Sequence, residues 1–142
     1  MMAVPGGRAM WLLKTEPTAY SYSDLEREGR ATWDGVKNPV ALSNLKLMKA
    51  RDRAFIYHTG GEKAVVGVVV VSRTAYADPK AGNPRLVVVD LEPVGRLARP
   101  VVLAELKALP LFKDSPLVRQ GRLSVVPLTK AQWQAIEERG RR

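Results

Sequence analysis

The sequence predicts an α+β fold: a curved mixed β-sheet or small β-barrel flanked by helices. Three observations predict it. Valine-rich apolar runs of strand length recur along the chain. They are separated by short helical stretches with recognisable caps, and strands and helices neither alternate evenly nor segregate completely, which argues against a doubly wound parallel sheet. With 142 residues, 46% of them apolar and 26% charged, the chain has the ordinary globular mixture and is expected to form one domain. A domain of this length buries about 68–70% of its unfolded surface, so its core needs no disulfide or metal.

Each element has a local reason. Residues 1–9, with Pro5-Gly6-Gly7, read as a flexible leader. Met10 to Lys14 reads as a first strand, ended by Glu16-Pro17. Ser23 and Glu26 have capping-box spacing for a short helix over Asp24 to Glu28. Asp34-Gly35 is a turn dipeptide, and Asn38-Pro39 supplies an N-cap and first-turn proline for a helix through Met48. Arg53–Thr59 and Ala64–Ser72 read as strands joined by a Gly60-Gly61 hairpin turn. Leu86 to Pro93, with Val87-Val88-Val89, reads as a strand buried on both faces. Val102–Leu109 and Pro116–Gln120 read as short helices, and Leu123–Val126 as a short strand. Thr129 and Gln132 cap a last helix to Arg139, stopped by Gly140, and residues 140–142 read as a basic tail.

Composition excludes several chemistries. The chain has no Cys, so disulfides, thiolate metal sites and a Cys nucleophile are excluded, and with His58 as the single His a structural zinc site is not expected. No G-x-S-x-G, G-x-G-x-x-G or P-loop pattern occurs. No apolar run is long enough to cross a bilayer and no signal-peptide pattern follows Arg8, so a cytoplasmic protein without membrane attachment is expected. The net charge of +9 favours polyanionic partners, nucleic acid first. A monomer is the simplest expectation.

The candidate binding residues fall into five groups. Trp11-Leu12-Leu13-Lys14-Thr15-Glu16-Pro17 and Trp33-Asp34-Gly35-Val36-Lys37-Asn38 each combine a Trp with a cation and hydrogen-bonding groups. That is the mixture that holds a flat, polar base by stacking and by edge contacts. Either Trp could instead be core, with Asn38 a plain helix cap. Tyr57 and His58 end a strand, and His58 could equally be a satisfied structural residue. Arg119-Gln120-Gly121-Arg122-Leu123-Ser124 is either a compact polar segment just before a strand, where Arg can reach phosphate or a base edge and Ser124 adds a small donor, or else a solvated loop. Tyr20 and Tyr22, flanking the first helix, could stack on a ligand or pack on the sheet.

At these positions the chain resembles the EVE-domain family in its short stand-alone form. The family's W-L-x-K-[S/T]-E-P is met by Trp11–Pro17, and its W-x-G-V-[R/K]-N by Trp33–Asn38. N-P-x-A-x-x-N-L is met by Asn38–Leu45, Y-H with a following G-[I/V]-x-x-V by Tyr57-His58 and Gly67–Val71, and R-L-S-V-x-P-[L/V]-[T/S] by Arg122–Thr129. Trp133 matches the closing Trp of the family's last helix. The resemblance runs from about Met10 to Glu138. It implies a PUA-like fold related to the YTH and ASCH domains. It also implies binding, without catalysis or cofactor, of a modified nucleobase, chiefly modified cytosine in DNA or else modified RNA, flipped into a pocket. In that pocket Trp11 and Trp33 would be walls and Lys14, Thr15 and Asn38 polar contacts. Tyr57, His58, Arg122 and Ser124 would form the rim, beside Glu16, Val36, Lys37 and Leu123. Lys37 stands where Arg is frequent in the family, and Gly121 where bulkier residues are usual. Two other readings use the same residues. One is an ASCH-like hydrolase of RNA or small amides with Lys14, Glu16 or His58 as acid and base. The other is a small-molecule or anion sensor.

Overall fold

The computed structural model describes residues 10–141. The leader expected over residues 1–9 lies outside them. Six strands form one sheet in the order β2-β5-β4-β3-β1-β6. They are β1 (Met10–Thr15), β2 (Ala31–Trp33), β3 (Arg53–His58), β4 (Ala64–Ala77), β5 (Val87–Val102) and β6 (Val125–Leu128). β1 and β3 are parallel, and every other pairing is antiparallel. The helices are α1 (Tyr22–Glu28), α2 (Pro39–Leu47), α3 (Leu103–Lys107), α4 (Pro116–Arg119) and α5 (Lys130–Gly140), with a 3₁₀ turn at Pro110–Phe112. This is the α+β, PUA-like arrangement expected.

The sheet is strongly curved. Helix α2 packs on β6, at one edge, and on β5 and β4. In a flat sheet β5 and β6 would lie four strand spacings apart, about 19 Å. A nine-residue helix is only about 13 Å long, so the sheet must curl around it. Bulges provide the bend: pairing jumps from Val68↔Gly95 to Val69↔Pro93 and from Gly67↔Arg96 to Val65↔Val101. Pro93 sits at such a break, where a missing N–H is tolerated. β5 therefore runs on to Val102 rather than ending at Pro93, and β4 reaches Ala77 rather than Ser72.

The core lies inside the curl. Leu12, Leu13, Phe55, Ile56, Val65 and Val89 are buried, as expected for strands covered on both faces. Trp133 of α5 stacks on Phe55, ring centroids 3.8 Å apart at 22°.

Several boundaries differ from expectation. The capping box of α1 is Ser21 with Asp24: Ser21 accepts from Asp24 N, and the Asp24 carboxylate from Ser21 N at 2.9 Å. Starting the helix earlier buries Tyr22 completely, which decides between two overlapping Ser-x-x-acid patterns. β2 replaces irregular chain, β6 begins two residues later than expected, and five residues rather than a two-glycine hairpin join β3 to β4. Gly140 does not stop α5. It belongs to the helix, where a Cβ would come within 2.9 Å of Leu97, so the glycine permits close packing on β5. The two caps expected at Asn38 and at Thr129 with Gln132 are present.

Candidate nucleic-acid interface

A cleft of about 490 Å³ opens at the C-terminal end of β1, within the usual range for small-ligand sites. Lys14 and Thr15 come from β1, Ala19 and Tyr20 from the following turn, and Glu28 from the end of α1. Arg30, Ala31, Thr32, Trp33, Asp34 and Val36 come from β2 and its flanks.

The walls are held firmly. Tyr20 meets Trp33 edge to face, with centroids 6.1 Å apart at 80°, a favourable quadrupole arrangement. Its hydroxyl donates to Glu28 Oε1 at 2.7 Å, and its carbonyl accepts from Thr15 Oγ1 at 2.7 Å. Burial, reinforced by the Glu28 carboxylate, pushes the Tyr20 phenol well up, so it stays a neutral donor. Behind β2, Thr32 Oγ1 and Tyr76 Oη both donate to the buried Asp90 Oδ1, at 3.1 and 2.6 Å. The guanidinium of Arg73 lies 3.6 Å from the Tyr76 ring centroid. The short β2 strand is thereby fixed although it has only three residues.

Lys14 is the central cation. Its Nζ donates to Gly121 O at 2.9 Å and lies 5.7 Å from the centre of the Tyr57 ring. Burial draws its ammonium below the ordinary lysine range, so an arriving anion or acceptor would relieve part of its desolvation. Carboxylates of Glu28 and Asp34 and the guanidinium of Arg30 complete a lining of both signs. Such a lining can accept from an amine and donate to a carbonyl or phosphate.

The structure brings Lys14, Thr15, Tyr20, Trp33, Asp34 and Val36 together at this cleft and leaves the other candidates elsewhere. Trp11 is corrected: it is a core residue, 4% exposed, whose Nε1 donates to Asp52 Oδ2 at 3.3 Å. It lies four residues before Thr15, about 13 Å along the strand, too far to share the cleft. Glu16 fastens two loops, accepting from Thr18 N, Thr18 Oγ1 and Thr59 Oγ1 at 3.4, 3.1 and 3.1 Å. These bonds, Thr18 N–H first, hold its carboxyl below the usual range. Asn38 Oδ1 is consumed as the α2 cap, accepting from Val40 N and Ala41 N, and Lys37 beside it does not line the cleft.

His58 is not a rim residue. It is buried, Nε2 accepts from Tyr22 N at 3.1 Å, and Nδ1–H is thereby left to donate to Glu62 Oε1 at 2.8 Å. Both ring nitrogens are used to tie α1 to the β3–β4 turn. Tyr57 is 4% exposed and faces a neighbouring recess, and Leu123 is core. Arg122 is exposed outside the cleft, and Ser124 contributes its carbonyl to Lys14 N. Glu28, Arg30 and Thr32 were not among the expected binding residues. They follow no periodic pattern: the β2–β5 pairing places Thr32 with Arg30 beside it, and the end of α1 places Glu28. Among the described residues no group of His, Asp and Glu is arranged to hold a metal, and no helix is long and apolar enough to cross a membrane.

Comparison with known proteins places this geometry in context. Residues 9–139 match the sequence pattern of the EVE domain. Thymocyte nuclear protein 1 of Rattus norvegicus is 32% identical, over 89% of this chain and 71% of its own length. An Agrobacterium tumefaciens protein of known crystal structure superposes with a TM-score of 0.90 at 33% identity, covering 93% of this chain and 92% of its own. Human thymocyte nuclear protein 1, solved in complex with 5-methylcytosine-containing DNA, superposes with a TM-score of 0.86 at 27% identity, covering 94% and 98%.

Proposed function

The chain belongs to the EVE domain family, and from that premise we propose that it binds a modified nucleobase in nucleic acid, by receiving the flipped base in the Trp33 cleft without transforming it. The observation that carries the reading is the cleft itself: one indole wall among hydrogen-bonding groups of both signs. A modified cytosine suits it best. Glu28 or Asp34 would accept from the exocyclic amine, as carboxylates do from cytosine N4. Lys14 and Thr15 would serve the base carbonyl, and a 5-methyl group would lie on the apolar surface of Trp33, Ala31 and Val36. The human relative's complex with 5-methylcytosine DNA supports this choice.

The energies are consistent. Extruding a base costs a few kcal/mol. Stacking on one indole returns about 1–3 kcal/mol, and each pocket hydrogen bond nets about 1 kcal/mol. Binding would therefore be near balance for the base, with the rest supplied by contacts between the basic surface and phosphate.

The test is a binding panel at fixed salt of DNA and RNA oligonucleotides differing only in one 5-methylcytosine. Burying one methyl group contributes about 0.8 kcal/mol, so a preference of about fourfold is expected for the modified strand, with the oligonucleotide recovered chemically unchanged. Equal affinity for modified and unmodified strands across the panel would refute base reading. Any product formed would favour a hydrolase.

A further inference from the structure

We propose that the strand carrying the bound base leaves the Trp33 cleft past Lys14 and runs its phosphates along two adjoining basic recesses on the α3–α4 face. The inference rests on the base-reading proposal and specifies the path of the backbone.

The recesses adjoin through shared residues. Lys14 lines the base cleft and also a recess of about 290 Å³ formed by the β3–β4 turn, α3 and α4. Lys107 and Val118 line that recess and also a second one, of about 590 Å³. The cations met in order are Lys14 and Lys63, then Lys107, then Lys113 and Arg119. No carboxylate lines either recess, whereas Glu28 and Asp34 line the base cleft. Charge therefore separates the two functions. A mixed lining can read a base edge, and a cation-only lining can follow a polyanion but carries no sequence information.

The path is held in place. Leu103 N donates to Lys63 O at 2.8 Å, fixing the turn to α3. Arg119 Nε donates to Lys113 O at 2.9 Å. Two carboxylates border the track: Glu16, already occupied by Thr18 and Thr59, and Asp114, which meets Arg119 at 3.5 Å while itself 87% exposed, a pairing that water and salt weaken. Lys63, Lys107 and Lys113 are exposed at their positions and available to phosphate.

The test compares two triple variants of equal charge change. One, K63Q/K107Q/K113Q, removes the track. The other, K46Q/K49Q/K80Q, removes three exposed lysines outside it. Affinity for a single-stranded 5-methylcytosine oligonucleotide is measured against salt, alongside affinity for 5-methyldeoxycytidine alone. Each lost contact to a single strand lowers the log–log salt slope by about 0.7. The track variant should therefore lose about 2 from the slope, and about a hundredfold in oligonucleotide affinity near 0.1 M salt. Nucleoside binding should be unchanged in both variants. Equal slope losses in both, or an unchanged slope in the track variant, would overturn the proposed path. If the wild type shows no preference for the methylated strand while the track variant still loses its slope, base reading fails and the path survives.

Discussion

Replacing Trp33 with alanine is expected to weaken binding of a methylated oligonucleotide by about fourfold, because without the stacking contact the base is no longer held extruded and binding falls back to the phosphate contacts, which erases its preference over the unmodified strand. Binding to unmodified DNA at low salt should be nearly unchanged, because phosphate contacts supply it. The indole is 8% exposed and packs against Tyr20, so truncation to alanine also lowers stability. Trp33→Leu keeps most of the apolar volume and removes the flat ring. It should lose the preference at a smaller cost in stability. Equal losses for modified and unmodified strands in both variants would show that Trp33 supports the fold without touching a base.

The largest expected effect on stability is at Gly67. A Cβ there would lie 2.5 Å from Tyr22 Cε1, closer than atoms can approach. Tyr22 cannot swing aside. Its ring is fully buried, and its hydroxyl donates to Val68 O at 2.7 Å and accepts from Gly95 N at 3.0 Å. Overpacking of this kind costs about 1–3 kcal/mol, and disturbing two hydrogen bonds adds about 1 kcal/mol each. Reduced freedom of the unfolded chain returns less than about 1 kcal/mol. Gly67→Ala should therefore destabilise by about 3 kcal/mol, lowering Tm by about 10 °C. In a Tyr22→Leu background the same substitution should cost under about 1 kcal/mol, because the clashing ring is gone. Equal costs in the two backgrounds would place the effect in the backbone.

Much of the fold could be read from local chemistry. Asn38-Pro39 and Thr129 with Gln132 are self-sufficient caps, and the valine runs at Ala64 and Val87 are strands in any context. Harder features were those decided at a distance. Ala31–Trp33 is too short to show alternation and becomes a strand only by pairing with Val89–Leu91. Ser21 and Ser23 both carry an acid three residues on, and only the burial of Tyr22 selects the first. Pro93 reads as a strand end until a bulge accommodates it.

The site divided in the same way. Lys14, Thr15, Trp33 and Val36 meet because the end of β1 and the β2 flank face one opening. Trp11 and His58 occur in the same kind of motif, yet each is already consumed by hydrogen-bond partners, the buried Asp52 in one case and the buried Tyr22 with the exposed Glu62 in the other. Sequence shows which side chains can hydrogen-bond. It does not show which have already done so inside the fold.

The three tryptophans give the most direct measurement. Each indole N–H has its own resonance: Trp11 is bonded to Asp52, Trp133 is stacked on Phe55, and Trp33 lines the cleft. Titration with a 5-methylcytosine oligonucleotide should move the Trp33 resonance and leave those of Trp11 and Trp133 in place. Saturable binding with Trp33 unmoved, or with Trp11 or Trp133 shifted instead, would contradict a base seated in this cleft.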